Sequence, residues 1–236
     1  MATRAVIFNL YGTLVHETCQ RAMLDATVRM AHELNVDPIR FASLWFHHAE
    51  QTPRDRALAW IESNLERVCK DMEVELHPVL RRRLARQRDE LMVQTLFPRQ
   101  GALRGLAKMR GHGLKTAVVG DTPPDVPPLL QNTELVKHLD LVLLSTSNTW
   151  RHDDPRVLEC VVKELGVPAQ TCLFVSTGMG EDLHLAQSLG MTAVMLEPEM
   201  SESDRVIAGP PEQIRRVGTM LEVYWLATNQ SFSAVA

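Results

Sequence analysis

The chain has 236 residues, 29 acidic against 25 basic side chains for a formal charge of −4, and 45% apolar residues with only 5% aromatic. That arithmetic describes one large globular domain, or one domain with a smaller insertion. A 23% charged fraction without a polar low-complexity tract excludes a disordered chain, and no apolar run reaches the roughly 18 residues of a membrane helix. A mildly acidic balance has no general attraction for nucleic acid or anionic lipid, so neither is expected as a partner and any anion site must be local. The opening MATRAVIFNL enters a strand-like run without the order of a signal peptide, and a cytoplasmic protein is expected. Cys19, Cys69, Cys160 and Cys172 form no CxxC pair and have no close histidine, which reads as buried free thiols in a reducing compartment and gives no zinc site.

Residues 4–9 (RAVIFN) read as a first strand, nearly continuous in apolarity as parallel strands buried on both faces are. Helical patterns follow at about 17–34, 38–51, 54–72 and 77–94, broken near Asp37-Pro38, Pro53 and His77-Pro78, with no convincing strand. They read as an all-helical insertion, which after a strand's C-terminal end can lie over the crevice where doubly wound sheets bind ligands. Strand-like runs return at 114–119, 139–144, 171–176 and 192–196, separated by helical stretches as βαβ crossovers require. In 154–165, Asp154 caps, Pro155 takes the first turn, and Val157, Leu158, Val161, Val162 and Leu165 form one stripe. Further helices are predicted at 125–133, with Asp residues of the preceding turn as caps, at 181–189 with a stop at Gly190, and at about 211–227 before a frayed tail. The expected fold class is α/β, a doubly wound, mostly parallel sheet formed by residues 1–15 and 96–236, with a helical cap at 16–95.

The segment VIFNLYGTLV at 6–15, with Gly12, Thr13 and Leu14, then GALRGLAKMRGHGLKTAVV at 101–119, DPRVLECVVKELGV at 154–167 and LFVSTGMGEDLHLAQSLGMTAVML at 173–196 resemble, in order, the landmarks of the haloacid dehalogenase (HAD) superfamily in its helical-cap branch. The flavour is that of its 2-haloacid dehalogenase and phosphoglycolate phosphatase-like members. The resemblance covers essentially the whole chain and implies the fold; it does not by itself imply the chemistry. In the family's phosphatases the first loop reads DxDGT, its first Asp the nucleophile and its second the proton shuttle. Here those positions are Asn9, an uncharged and very poor nucleophile, and Tyr11. The dehalogenase branch also carries Tyr in the second place and uses no Mg²⁺, yet it requires the first Asp, and Phe46 in SLWFHH stands where that branch tends to carry an arginine. Gly120 and Asp121 replace the hydroxyl that ends the second motif, His152 stands nearest the third-motif Lys, and Ser176 and Thr177 replace the Gly and first Asp of the fourth, of which Asp182 is retained. A lone distal carboxylate seldom holds Mg²⁺, so no catalytic metal and no other cofactor is expected.

Each remaining feature carries a bland reading beside the functional one. Asp121 and Asp125 at i and i+4 around Pro123 and Pro124 read as a metal pair or as a stiff turn with capping Asp residues. His152 beside Asp153 and Asp154 reads as a general acid–base or as a solvated histidine before a cap. Trp45 with Phe46, His47 and His48 reads as a wall of the pocket or as cap core. RRRLARQR at 81–88 puts five arginines on one helix, read as a solvated face with pairs such as Arg86–Glu90, or as a phosphate or partner patch. The candidate catalytic residues are therefore His152, Tyr11, Asp121 and Thr177, and the candidate ligand-binding residues Asn9, Gly120, Ser176, Asp182, Trp45 and His48. Three function classes are open: a repurposed metal-independent enzyme doing dehydration, cyclisation, isomerisation or lyase chemistry on a small organic molecule, a non-catalytic pseudoenzyme binding a ligand or protein partner, and a residual hydrolase using Ser176 or Thr177 with His152. A homodimer is left open.

Overall fold

The computed structural model describes residues 2–16, 19–49, 57–123, 125–145, 154–178, 181–197 and 214–229. In chain order they form β1 (Ala5–Asn9), α1 (Cys19–Glu33), α2 (Pro38–Ala49), α3 (Ala57–Asp71), α4 (Pro78–Thr95), α5 (Ala102–Gly111), β2 (Lys115–Asp121), α6 (Val126–Leu130), β3 (Leu141–Ser145), α7 (Pro155–Leu165), β4 (Cys172–Ser176), α8 (Asp182–Ser188), β5 (Thr192–Leu196), β6 (Arg215–Val217) and α9 (Met220–Thr228). Two compact units result, one of Met1–Glu17, Pro98–Asp121 and Glu134–Ala236 and one of Thr18–Phe97 and Thr122–Thr133. The helical unit thus takes in residues 122–133 in addition to the stretch read from the sequence. No helix among the described residues is long and apolar enough to cross a membrane.

The sheet runs β3-β2-β1-β4-β5-β6, all parallel, so consecutive strands step outward from β1 on one side and then on the other, the doubly wound order. β1 lies in the middle, in register with β2 through Ile7 opposite Ala117 and with β4 through Ile7 opposite Phe174. Alternate residues of a strand face opposite sides, and Ala5, Ile7, Ala117, Val119 and Phe174 join one core with Val157, Leu158 and Val161 of α7 and Leu183 and Ala186 of α8. α5 and α9 pack together, α5 on β2 and α9 on β5 and β6. With both faces covered, Val, Ile and Phe can follow one another without polar alternation. α7 begins as the sequence predicts: the Asp154 side chain accepts from Arg156 N at 2.9 Å, Pro155 opens the helix, and Gly166 closes it in the left-handed region at φ 64°. Asp154 also pairs with the Arg156 guanidinium, which holds its carboxyl below the usual range.

One element departs from the sequence reading in this unit. The helix expected over about 211–227 is α9, preceded by β6, whose residues Arg215, Arg216 and Val217 pair with Val194, Met195 and Leu196 of β5. Only Val217 of the three is buried, so no apolar alternation announces this strand; the ladder to its neighbour creates it. Glu222 accepts from Gly218 N and the Thr219 hydroxyl accepts from Glu222 N, a capping box that sets the helix start three residues later than the strand.

The helical unit is built around aromatic packing. Trp45 stacks on Phe41 with ring centroids 6.1 Å apart and meets Trp60 edge-on at 5.6 Å, and the Asn64 amide donates to the Trp45 carbonyl at 3.0 Å. Into this core comes Arg88, 1% exposed. Its guanidinium lies 4.7 Å over the Trp45 ring, its Nε donates to Asp125 Oδ2 at 2.7 Å and its Nη1 to the Thr27 hydroxyl at 3.3 Å. Two sequence readings are corrected here. Arg88 is not part of a solvated arginine face, because it falls on the buried stripe of α4 with Leu84, Ala85, Met92 and Thr95; and Asp125 does not cap α6 through its side chain, because that carboxylate is turned to Arg88. Other arginines of the run do pair at the surface, Arg83 with Glu33 at 2.6 Å and Arg81 with Glu66 and Glu62. Cys69 and Cys172 are buried free thiols whose burial pushes them up to about 11, and Cys160 is a free thiol at intermediate depth.

Removing one partner of a buried ion pair strands the other charge, whereas replacing both by apolar groups does not. Asp125→Ala is therefore expected to lower unfolding free energy by about 3–5 kcal/mol in urea denaturation, and Arg88→Met combined with Asp125→Leu to recover most of that loss. Asp89 is half-buried, and burial together with the charges of Asp125 and Glu90 raises its carboxyl. The ionised form is thus disfavoured in the folded state, so Asp89→Asn should raise the denaturation midpoint at neutral pH, and the gain should vanish as pH falls below the ordinary Asp range, where wild type is protonated in both states.

Candidate functional site

In a doubly wound sheet the crevice outside the C-terminal strand ends, at the point where strand order reverses, is where ligands bind; here that point lies between β1 and β4. β1 ends at Asn9, β4 at Ser176, and α8 starts with Asp182 just beyond β4. The three side chains converge. Asn9 Nδ2 donates to Asp182 Oδ2 at 3.2 Å and Ser176 Oγ donates to the same oxygen at 2.5 Å, while Asp182 Oδ1 accepts from Leu183 N at 2.8 Å. Asp182 is 2% exposed; a carboxylate at that depth must be compensated by donors, and both of its oxygens are. Ser176 Oγ also accepts from Gly178 N at 3.2 Å, in a turn where Gly178 holds φ 76°.

The loop after β1 is a tight turn. Leu10 N donates to Val119 O, continuing the ladder for one residue, and Leu14 N and Val15 N both return to Leu10 O. The turn needs φ 71° at Gly12, a conformation glycine adopts without steric cost. Tyr11 is half-buried beside Val15, with which it forms a bridge, and Thr13 is fully buried. Arg99 was not singled out in the sequence, yet it anchors this loop: 5% exposed, it donates from Nη1 to Gly12 O at 2.7 Å and from Nη2 to Glu197 O, and its own N–H reaches Leu14 O at 2.8 Å. No local pattern marks it; it is an arginine after a Pro98 that pairs with Val15.

At the end of β2, Gly120 lies against Asn9: a Cβ there would stand 3.5 Å from Asn9 Oδ1 and 3.4 Å from Leu10 Cβ. Asp121 follows, exposed, opposite Ser145 of β3. Thr177 is 3% exposed beside Ser176. Of the sequence candidates, the structure thus brings Asn9, Gly120, Ser176 and Asp182 together, with Tyr11, Asp121 and Thr177 on the same strand ends and loops. His152 and Asp153 lie outside the described residues. Trp45 and His48 belong to the helical unit, where Trp45 is core and His48 Nε2 hydrogen-bonds Asp71 at 2.7 Å.

The family's phosphatases hold Mg²⁺ through two first-loop and fourth-motif carboxylates, and the donor set here does not fit that ion. Mg²⁺ requires several oxygens in octahedral array, whereas Asp182 is the one carboxylate among Asn9, Tyr11, Ser176, Thr177 and Asp182, and donors already engage both its oxygens. Among the described residues no group of three or more His, Cys, Asp or Glu is placed to hold a metal.

No family model matches the chain, and no curated protein does. Solved structures do. A HAD phosphatase from Thermococcus onnurineus aligns at TM-score 0.59 and 18% identity over 95% of this chain and 97% of its own. The L-2-haloacid dehalogenase of Xanthobacter autotrophicus, with chloropropionic acid covalently bound, aligns at TM-score 0.56 and 16% identity over 97% and 100%, and another dehalogenase at 0.54 and 21% over 96% and 97%. At such identities the likeness speaks for the fold alone: the chain has the haloacid dehalogenase-like fold.

Proposed function

We propose that this protein does no covalent aspartyl chemistry and acts, without a metal or other cofactor, on a small organic molecule at the C-terminal edge of its sheet. The chemistry is acid–base in kind: dehydration, cyclisation, isomerisation or lyase-type elimination, none of which requires an aspartyl intermediate. The observation that supports this reading is the amide of Asn9 donating to Asp182. A carboxamide there is no nucleophile, and its N–H group takes the place beside Asp182 that a cation takes between two carboxylates. Proton exchange falls to Asp121, exposed at the end of β2, with Tyr11 and with His152, which precedes α7 in the chain; Thr177 orients the ligand.

A non-catalytic role, binding a ligand or a protein partner, is the second reading. What favours it is closure: Asn9, Ser176 and Asp182 engage one another. Residual hydrolysis from Ser176 or Thr177 is disfavoured, because both are buried and the Ser176 proton is committed to Asp182.

Two experiments test the reading. With Mg²⁺ supplied, neither wild type nor Asn9→Asp should turn over an aryl phosphate above the blank; the variant restores a carboxylate but not the second Asp or the leading fourth-motif Asp. Turnover by Asn9→Asp would show the family's machinery intact. For the positive claim, a small-molecule extract of the source cells is incubated with the protein in EDTA and followed by mass spectrometry. Wild type should convert one component to a product of equal mass, or lighter by one water or another eliminated fragment, and Asp121→Asn should slow this about 10²-fold. Retention of a component without conversion would replace the enzymatic reading by the binding one.

A further inference from the structure

The sheet unit holds a cavity of about 370 Å³, lined by the start of α5, the start of α9 and Glu197, and it has no part in the function proposed above. Its volume sits at the small end of the range for small-molecule pockets, roughly 300–1,000 Å³. Three cations line it, Arg99, Arg104 and Lys108, against one carboxylate, Glu197, a balance of three minus one, or +2. These cations are differently placed. Arg99 is buried and held by the Gly12 and Glu197 carbonyls, Lys108 Nζ lies 5.3 Å over the Tyr224 ring, and Arg104 is exposed.

The crevice has a structural cause. Gly101 and Gly105 sit one turn apart on α5, where added Cβ atoms would come within 3.7 and 3.2 Å of Met220 Cβ. Two small residues bring the two helix starts close together. The helix starts are finished differently: α9 carries the Thr219–Glu222 capping box, while α5 opens at Gly101, φ 79°, with no side-chain cap. A helix start adds partial positive charge to that of the three side chains.

We propose that this cavity binds a small phosphate ester bearing hydroxyl groups. A dianion matches a lining of +2. Arg104 and Lys108 supply charge-assisted hydrogen bonds to its oxygens, reinforced by the field of Arg99 and the α5 start. Glu197, whose carboxylate is 3.9 Å from where a Gly218 Cβ would stand, accepts from a ligand hydroxyl. The volume exceeds what the phosphoryl group alone fills, which is why the ester is favoured over the bare anion.

Isothermal titration calorimetry with the full chain decides it, using glucose 6-phosphate, inorganic phosphate and glucose at matched ionic strength. Wild type is expected to bind glucose 6-phosphate more tightly than inorganic phosphate, and glucose not at all. Arg104→Gln with Lys108→Gln should weaken both phosphates at least about ten-fold. Glu197→Gln should weaken glucose 6-phosphate while leaving inorganic phosphate unchanged, and Arg83→Gln, a surface change in the helical unit, should alter neither. The proposal is overturned if wild type shows no saturable binding of either phosphate, or if the double variant binds them as wild type does. Because no residue of the β1–β4 site is altered, either result leaves the reading of that site untouched.

Discussion

The hydrogen bond from Asn9 to Asp182 ties the end of β1 to the start of α8 across the point where the sheet reverses its order. A carboxylate at position 9 would face that of Asp182 at hydrogen-bond range, and two like charges so placed need a shared proton or a cation between them. An amide needs neither, since its N–H group is itself the compensating donor. The Ser176 hydroxyl completes the compensation from the end of β4. The amide at position 9 and a donor set that does not fit Mg²⁺ are therefore consistent with one another. Once the first group becomes a donor, Asp182 is better served by hydrogen bonds than by an ion.

The helical unit solves a comparable problem differently. Arg88 enters an aromatic core as a full charge, and it is compensated by Asp125, by the Thr27 hydroxyl and by the face of Trp45. Such a pair is weak evidence of stability, because an apolar replacement of both partners does as well. What the pair does in this structure is join two separate stretches of the unit. Asp125 stands at the start of α6, in a segment that follows β2 in the chain yet packs with α3 and α4. Without that segment the Arg88 charge buried in the helical core would lack its carboxylate partner.

How far the sequence discloses this structure follows from the range of each signal. β1, β2, β4 and β5 are legible because both faces are buried and apolar residues run together; α7 is legible because Asp154, Pro155 and Gly166 mark its ends locally. β6 is not, since two of its three residues are exposed arginines and only pairing with β5 makes it a strand. Arg88 was hidden by its neighbours: five arginines invite a reading as one charged face, although 84, 85, 88, 92 and 95 already spell a helical stripe. In the site, motif comparison located Asn9, Ser176 and Asp182, but not their bonds. Asn9 and Asp182 are 173 residues apart, and Arg99 holds a carbonyl 87 residues away. Main-chain acceptors leave no trace in residue identity, so an anchoring arginine of this kind is visible only once the chain is folded.

Commitment of donors also separates the groups at the strand ends. Asn9, Ser176 and Asp182 are bound to one another, with Ser176 and Asp182 nearly inaccessible; a proton taken from Ser176 or given to Asp182 would break a buried network, at the cost of an unsatisfied polar group. Asp121 stands one strand away, at the exposed end of β2. Gly120 lies next to Asn9, where an added Cβ would stand 3.5 Å from Asn9 Oδ1. The arrangement sets a compensated, buried group beside an exposed carboxylate at the end of the neighbouring strand. In the function proposed here, a bound organic molecule would exchange protons with groups outside the buried network, which keeps Asn9, Ser176 and Asp182 paired throughout.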